Sequence, residues 1–298
     1  MQAICYDKVY VQSISLISTS KNITLDVLRL DKLHEVISGN KWFKLQLQIK
    51  ACKQANKTTI ATFGGAYSNH IVATAYACKL EGLQSVGIIR GDEPKQMNHT
   101  LQQAQSLGMQ LLFVSRSDFS NKEQLKQSFH QDNWYWINEG GYAILGAEGV
   151  TDMYHWIDKS YTHVACATGT GTMMAGLIKG AAPHQQVIGI TALKGHDSLQ
   201  EEISHLLTPK ETEKPFTIFN AYHFGGYAKH PKTLLDWMNY LYNTYQLPTD
   251  IVYTSKMLYG VFNLIESGYF ADGSKIMAIH SGGLQGNLSL PKDSLVFA

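Results

Sequence analysis

Proline and cysteine are scarce in this chain: seven and four among 298 residues. With so little proline and no low-complexity stretch, an extended linker is not expected. Cys5, Cys52, Cys78 and Cys166 are scattered and form no CxxC pair, so they read as reduced, mostly buried thiols of a cytosolic protein. No apolar run reaches membrane-spanning length, and Met1-Gln2-Ala3-Ile4-Cys5-Tyr6-Asp7 lacks the basic and apolar regions of a secretory signal. A net charge of +1 gives no reason to expect a nucleic acid or a membrane surface as partner. Twelve histidines include no HExxH and no Cys/His cluster, which argues against a metal site. What is present is 44% hydrophobic and 16% charged, enough for a sizeable core in one large domain or two modest ones. The expectation is a soluble, cytoplasmic protein.

Strand-like and helix-like patterns alternate along most of the chain. Residues 9–11, 25–30, 58–63, 84–91, 109–114, 134–137, 161–166, 186–191, 216–222 and 275–280 read as strands, from their β-branched and aromatic content. The spacing predicts helices from the turn at residue 40 to about residue 54, and over 71–77, 98–107, 147–156, 173–179, 234–245 and 257–266. Alternation of this kind argues for an α/β fold with mostly parallel sheets and helices on their faces.

Three stretches offer chemistry. The first is Ser38-Gly39-Asn40-Lys41-Trp42-Phe43-Lys44, with two lysines one helical turn apart at a turn-to-helix junction. Two cations on one helix face repel unless an anion joins them. By itself the pair reads as a solvated surface feature, but a phosphorylated aldehyde would employ both, one amine bonding the aldehyde and the other meeting the phosphate. The second is Thr168-Gly169-Thr170-Gly171-Thr172, between a buried-type strand and a helix. Its backbone N–H groups, hydroxyls and helix N-terminus suit a phosphate. Met174 stands where a dinucleotide-binding GxGxxG needs glycine, and no GK[ST] follows, so neither of those nucleotide motifs is present. The third is Gly64-Gly65-Ala66-Tyr67-Ser68-Asn69-His70, a second strand-to-helix turn whose hydroxyl, amide and backbone donors could hold a carboxylate. Ser68 also reads as a plain N-cap there, and His70 as a satisfied loop residue.

Together with Tyr227, Val252-Tyr253-Thr254 and His280-Ser281-Gly282-Gly283, these stretches resemble, in order and over nearly the whole chain, the pyridoxal-phosphate enzymes of the tryptophan-synthase-β type (fold type II). Within that type the chain is most similar to the D-cysteine desulfhydrase and 1-aminocyclopropane-1-carboxylate deaminase family. The resemblance implies pyridoxal 5'-phosphate as cofactor. Lys41 matches the lysine that carries it covalently, Lys44 the lysine at its phosphate, and Asn69 the residue at its ring oxygen. Thr168, Gly169, Thr170, Gly171 and Thr172 match the phosphate loop. Ser68, with Asn69 and His70 beside it, matches the substrate carboxylate site, and Ser68 is a nucleophile or acid/base group in some members. Tyr227 and Tyr253 match the two tyrosines that face the substrate. Two domains are implied: a large one of residues 1–44 and 149–298, and a small one of residues 45–148 inserted in it. The family is typically homodimeric.

Two positions bear on the substrate. The deaminases resembling this chain carry a glutamate directly after the substrate tyrosine, where Thr254 stands here. A carboxylate keeps the ring nitrogen protonated, whereas a hydroxyl from Thr254 or Ser281 leaves a weaker electron sink. The resemblance therefore implies α,β-elimination of D-cysteine to pyruvate, ammonia and hydrogen sulfide. The alternatives are deamination of 1-aminocyclopropane-1-carboxylate to 2-oxobutanoate and ammonia, and β-replacement as in cysteine synthases.

Overall fold

A computed structural model describes residues 4–16 and 21–297. Residues 1–3, 17–20 and 298, which fall in the expected large domain, lie outside it. Among the described residues ten strands form two sheets. They are β1 (Val11–Ile14), β2 (Thr24–Arg29), β3 (Thr59–Gly65), β4 (Gln84–Arg90), β5 (Met109–Val114), β6 (Trp134–Ile137), β7 (His163–Thr168), β8 (Gln186–Thr191), β9 (Phe216–Phe219) and β10 (Lys275–His280). The larger sheet has the order β1-β2-β10-β7-β8-β9 and the smaller β5-β4-β3-β6. Every pairing is parallel except that of β1 with β2, where Val11 opposes Leu28. The fold is thus α/β with two mostly parallel sheets.

The central strands are covered on both faces, which is why they read as continuous apolar runs. All of β3 but its last residue is buried, and so is all of β7 but its first. The lead-in strand starts later than its pattern suggested: Tyr6–Lys8 form a 3-10 turn and pairing begins at Val11. The helix expected over 147–156 starts earlier, as Ile144–Val150, and tightens into a 3-10 turn over Thr151–His155.

Three helices, Asn40–Gln54, Ile144–Val150 and Thr172–Gly180, pack side by side. Their apolar residues, among them Phe43, Leu45, Ala147, Val150, Met173 and Leu177, join one buried cluster. The approach is close: a Cβ at Gly149 would overlap the Phe43 carbonyl. This contact holds the Lys41 helix against the rest of the molecule, so its first turn is not free to drift.

In the larger sheet the strand order reverses between β10 and β7, and in the smaller one between β3 and β6. The loops leaving the carboxyl ends of these four strands contain Ser281–Gly283, Thr168–Gly171, Asn69 and Gly140, and all of these residues line one cleft. Such reversals leave a crevice beyond the strand ends where ligands bind in open α/β sheets.

Candidate active site

The cleft encloses about 650 Å³, part of it open to solvent. Its position follows from an interlock of two loops. Gly39 sits at the helix N-cap with φ +64, and a Cβ there would overlap the Ser281 carbonyl. Asn40 N–H donates to that carbonyl (3.2 Å), and Gly283 N–H donates to Ser38 Oγ (3.3 Å). Only glycine permits both the positive φ and the close approach. The turn before Lys41 is therefore fixed by the loop after β10.

Lys41 and Lys44 both line the cleft, on the first turn of Asn40–Gln54. Lys41 Nζ donates to Asn40 Oδ1 (3.1 Å). Burial lowers its pKa to about 8, against a smaller upward pull from Asp250. Lys44 is buried, and among the described residues no carboxylate comes within 4.0 Å of its Nζ. Burial, then the charge of Lys41, drives its pKa well below the usual lysine range. A buried ammonium without a counter-charge is costly, and an anion in the cleft would relieve it.

Across the cleft, the turn after β7 presents Thr168, Gly169, Thr170 and Gly171. Gly171 has φ +75 and the helix Thr172–Gly180 starts with no side-chain cap. Thr170 and Thr172 share a hydroxyl–hydroxyl bond of 3.0 Å, while the buried Thr168 Oγ1 has no partner. Thr172 is buried and does not line the cleft itself. An orphan hydroxyl, an uncapped helix start and an uncompensated lysine are together suited to a phosphate group.

The turn after β3 contributes less than its sequence promised. Asn69 lines the cleft, but Ser68 and His70 do not. Ser68 occupies the N-cap position of Asn69–Glu81 without making a side-chain cap bond. His70 is 2% exposed, with Nε2 at 2.9 Å from Thr62 Oγ1. The Thr62 hydroxyl donates its single proton to the Ile137 carbonyl (2.8 Å), so Nε2 must be the donor to Thr62. Nδ1 is then an unpartnered acceptor. Burial, followed by the charges of Lys41 and Lys44, holds the imidazole neutral.

Tyr253 lines the cleft, 3.2 Å from where a Cβ on Gly169 would stand. Burial first, then Tyr227, Asp250 and Glu139, raise its pKa well above the ordinary phenol value. Tyr227 is 47% exposed, outside the main lining, with its ring centroid 6.3 Å from that of Tyr253. It borders a second, more open hollow with Lys194, His196 and Lys229.

Thr254 differs from expectation. It is fully buried, does not line the cleft, and its hydroxyl is committed to Asp250. That hydroxyl donates to Asp250 Oδ2 (2.6 Å) and accepts from Asp250 N–H (2.8 Å). Asp250 is itself fully buried, and its carboxylate accepts the N–H groups of Val252, Tyr253 and Thr254, each at 2.8 Å. Of the two hydroxyls expected near the ring nitrogen, only Ser281 lies on the cleft wall. Sequence reading passed over Asp250. Its signal was an aspartate followed by the start of a helix, the pattern of a carboxylate collecting free N–H groups. Gly140, Met173, Met174 and Gln285 also line the cleft without having been singled out.

With that geometry established, the chain is compared with known proteins. Residues 17–282 match the family described as pyridoxal-phosphate dependent enzyme, and the chain belongs to it. A Pyrococcus abyssi protein, provisionally named a 1-aminocyclopropane-1-carboxylate deaminase, is 28% identical over 93% of this chain and 89% of its own. An Arabidopsis thaliana mitochondrial protein, named a bifunctional D-cysteine desulfhydrase/1-aminocyclopropane-1-carboxylate deaminase, is 26% identical over 84% of this chain and 70% of its own. Among solved structures, one described as an ACC deaminase homologue superposes with a TM-score of 0.78 at 22% identity, covering 94% of this chain and 90% of its own. The chain is a pyridoxal-phosphate-dependent enzyme, of the lyase and deaminase kind for which these relatives are named. The orphan Thr168 hydroxyl and the uncompensated Lys44 fit the cofactor's phosphate, and the partly neutral Lys41 amine fits its aldehyde.

Proposed function

We propose that the protein catalyses α,β-elimination of D-cysteine, giving pyruvate, ammonia and hydrogen sulfide. One observation carries this reading: among the described residues, no carboxylate lines the cleft. The residue after Tyr253 is Thr254, whose hydroxyl is spent on Asp250, and of the two hydroxyls expected at a ring nitrogen Ser281 is the one on the wall. When bound, pyridoxal phosphate supplies a ring that withdraws the charge developing at the substrate α-carbon. With a hydroxyl in place of a carboxylate that withdrawal is weaker. It suffices for removing an α-proton and expelling a good leaving group, and is less suited to opening a cyclopropane that has no α-hydrogen.

The residues take the following parts. Lys41 would hold the cofactor through its amine and, as a free amine, serve as general base for the substrate α-proton. Lys44 with the 168–172 loop would hold the phosphate, Asn69 the ring oxygen and Ser281 the ring nitrogen. Ser68, Asn69 and His70 form the substrate carboxylate corner, reached by Ser68 and His70 only if the substrate draws the 66–70 turn inward. As the C–H bond breaks, the C–S bond breaks and a Cα=Cβ bond forms. Tyr253, its phenol kept protonated by burial, donates a hydrogen bond to the leaving sulfur, and Tyr227 closes the cleft mouth. The resulting enamine takes up water and releases ammonia and pyruvate.

Deamination of 1-aminocyclopropane-1-carboxylate is the second reading, favoured by the name of the Pyrococcus relative. Residues 1–44 with 149–298 as one domain and 45–148 as the other is a division supported by the separate six- and four-stranded sheets. We read the protein as a cytoplasmic homodimer acting on a small amino acid. Incubating the cofactor-loaded protein with D-cysteine should release sulfide and pyruvate in equal amounts with no second substrate. Ring opening of 1-aminocyclopropane-1-carboxylate without sulfide from D-cysteine would overturn the proposal, and sulfide released without keto acid, as a β-substituted amino acid forms from an added thiol or amine, would point to replacement.

A further inference from the structure

Lys256 is a third lysine near the site, and one that the sequence did not mark. It lies on the helix Thr254–Glu266, two residues after Thr254, and is fully buried. Its Nζ donates to the Gly226 carbonyl (2.7 Å), and among the described residues no carboxylate comes within 4.0 Å. A methionine would fill this space without burying a charge, so an ammonium here is an expensive way to pack a helix. What it grips is unusual. Phe224, Gly225, Gly226 and Ala228 all have positive φ, at +51, +95, +118 and +54. Two of these are not glycine, so the loop is strained and must be held from outside. Tyr227 sits at its tip.

Phe224 and Ala228 pack against a cluster that includes Leu234, Met238 and Leu295, and a second hold comes from one helix. Besides the Lys256 bond, the Phe224 ring meets Tyr259 edge-on at 4.8 Å, one helical turn further along. The Gly226 carbonyl also accepts Lys229 N–H (3.2 Å), closing the turn around the same oxygen. The N-terminus of this helix is where Asp250 gathers the amides of Val252, Tyr253 and Thr254. One rigid element therefore carries Tyr253 at its N-cap and clamps the loop of Tyr227 with its first two turns.

We propose that Lys256 is a positioning residue: its buried ammonium fixes the Gly226 carbonyl, and through the strained 224–228 loop it sets the Tyr227 ring against Tyr253 at the cleft mouth. The ammonium, whose pKa burial lowers to about 8 against an upward pull from Asp250, exchanges its hydration for a carbonyl partner and the nearby buried carboxylate. The inference rests on the cleft being the substrate site, but the clamp can be measured independently of turnover.

The test compares cofactor-loaded wild type with Lys256→Met and Lys256→Arg by amide hydrogen exchange and steady-state kinetics. In Lys256→Met, exchange of residues 223–229 should rise about tenfold or more, as expected for a lost charge-assisted bond. Protection over Met257–Glu266 and the visible absorption of the bound cofactor should stay as in wild type. KM for D-cysteine should rise by a larger factor than kcat falls, with partial return in Lys256→Arg. If Lys256→Met does not fold, Lys256→Gln, which keeps a donor on a shorter stem, takes its place. Unchanged exchange in the 223–229 segment, or equal loss of protection along the whole helix, overturns the proposal. If D-cysteine is not turned over at all, the substrate assignment fails while the exchange comparison still decides the clamp.

Discussion

The turn after β3 and the turn after β7 begin alike. Each ends a buried parallel strand in a glycine-bearing loop at the place where its sheet's strand order reverses, and each starts a helix within four residues. They differ in where their polar groups go. Neither helix start has a side-chain cap, but after β7 the Thr168 hydroxyl is buried and unpaired and the uncompensated Lys44 lines the opposite wall. After β3, His70 is tied back to Thr62, Ser68 stands off the wall, and Asn69 alone reaches the cleft. On the proposed assignment, the same backbone device serves two ends of a ligand. A doubly charged group needs several converging donors and a cation, whereas a single neutral or phenolic oxygen needs one amide.

Replacing Lys41 tests the element both turns share. Lys41→Ala should lower turnover by about 10²–10⁴-fold, the usual worth of a general base, and remove the visible absorption of lysine-bound cofactor. Retention of that absorption would move the chemistry to another amine. A pH effect comes next. Lys41 attacks the cofactor aldehyde as a neutral amine, and its pKa is lowered to about 8. Cofactor capture by the stripped protein should quicken as pH rises toward 8 and level off above it, slowing about tenfold for each unit below. Rapid mixing followed by absorbance checks this, and a flat profile from pH 6 to 9 would contradict it.

Smaller effects separate the two turns. Lys44→Met, made against the β7 side, should cost about 1.5–3 kcal/mol of cofactor affinity, the worth of a charge-assisted bond, measured by equilibrium titration. The same variant should bind unphosphorylated pyridoxal nearly as wild type does. Asn69→Ala, on the β3 side, should cost only about 0.5–1.5 kcal/mol and should weaken both ligands alike. Were Asn69→Ala to discriminate between the two ligands while Lys44→Met did not, the assignment of the turns would be reversed.

Much of this was legible because it is local. The 168–172 loop is contiguous, and its strand-to-helix setting follows from neighbouring residues alone. Lys41 and Lys44 share a face by helix spacing, whatever they face. The unread parts depend on distant packing. Nothing near residue 281 says that its carbonyl meets Gly39, a contact made by β10 lying beside β2 and β7. Thr254 offered a free hydroxyl in the sequence, and only the fold shows that Asp250 uses it twice. Lys256 reads as a surface lysine on an amphipathic helix, until a loop from 30 residues earlier covers it.

The central claim is that two lysines one turn apart divide the work, Lys41 bonding the cofactor and Lys44 attending its phosphate. Borohydride reduction of the loaded protein fixes the cofactor to whichever amine holds it, and peptide mass mapping then reads the position. The account predicts a phosphopyridoxyl group on Lys41 with Lys44 unmodified. The same group on Lys44, or on Lys256, would contradict it.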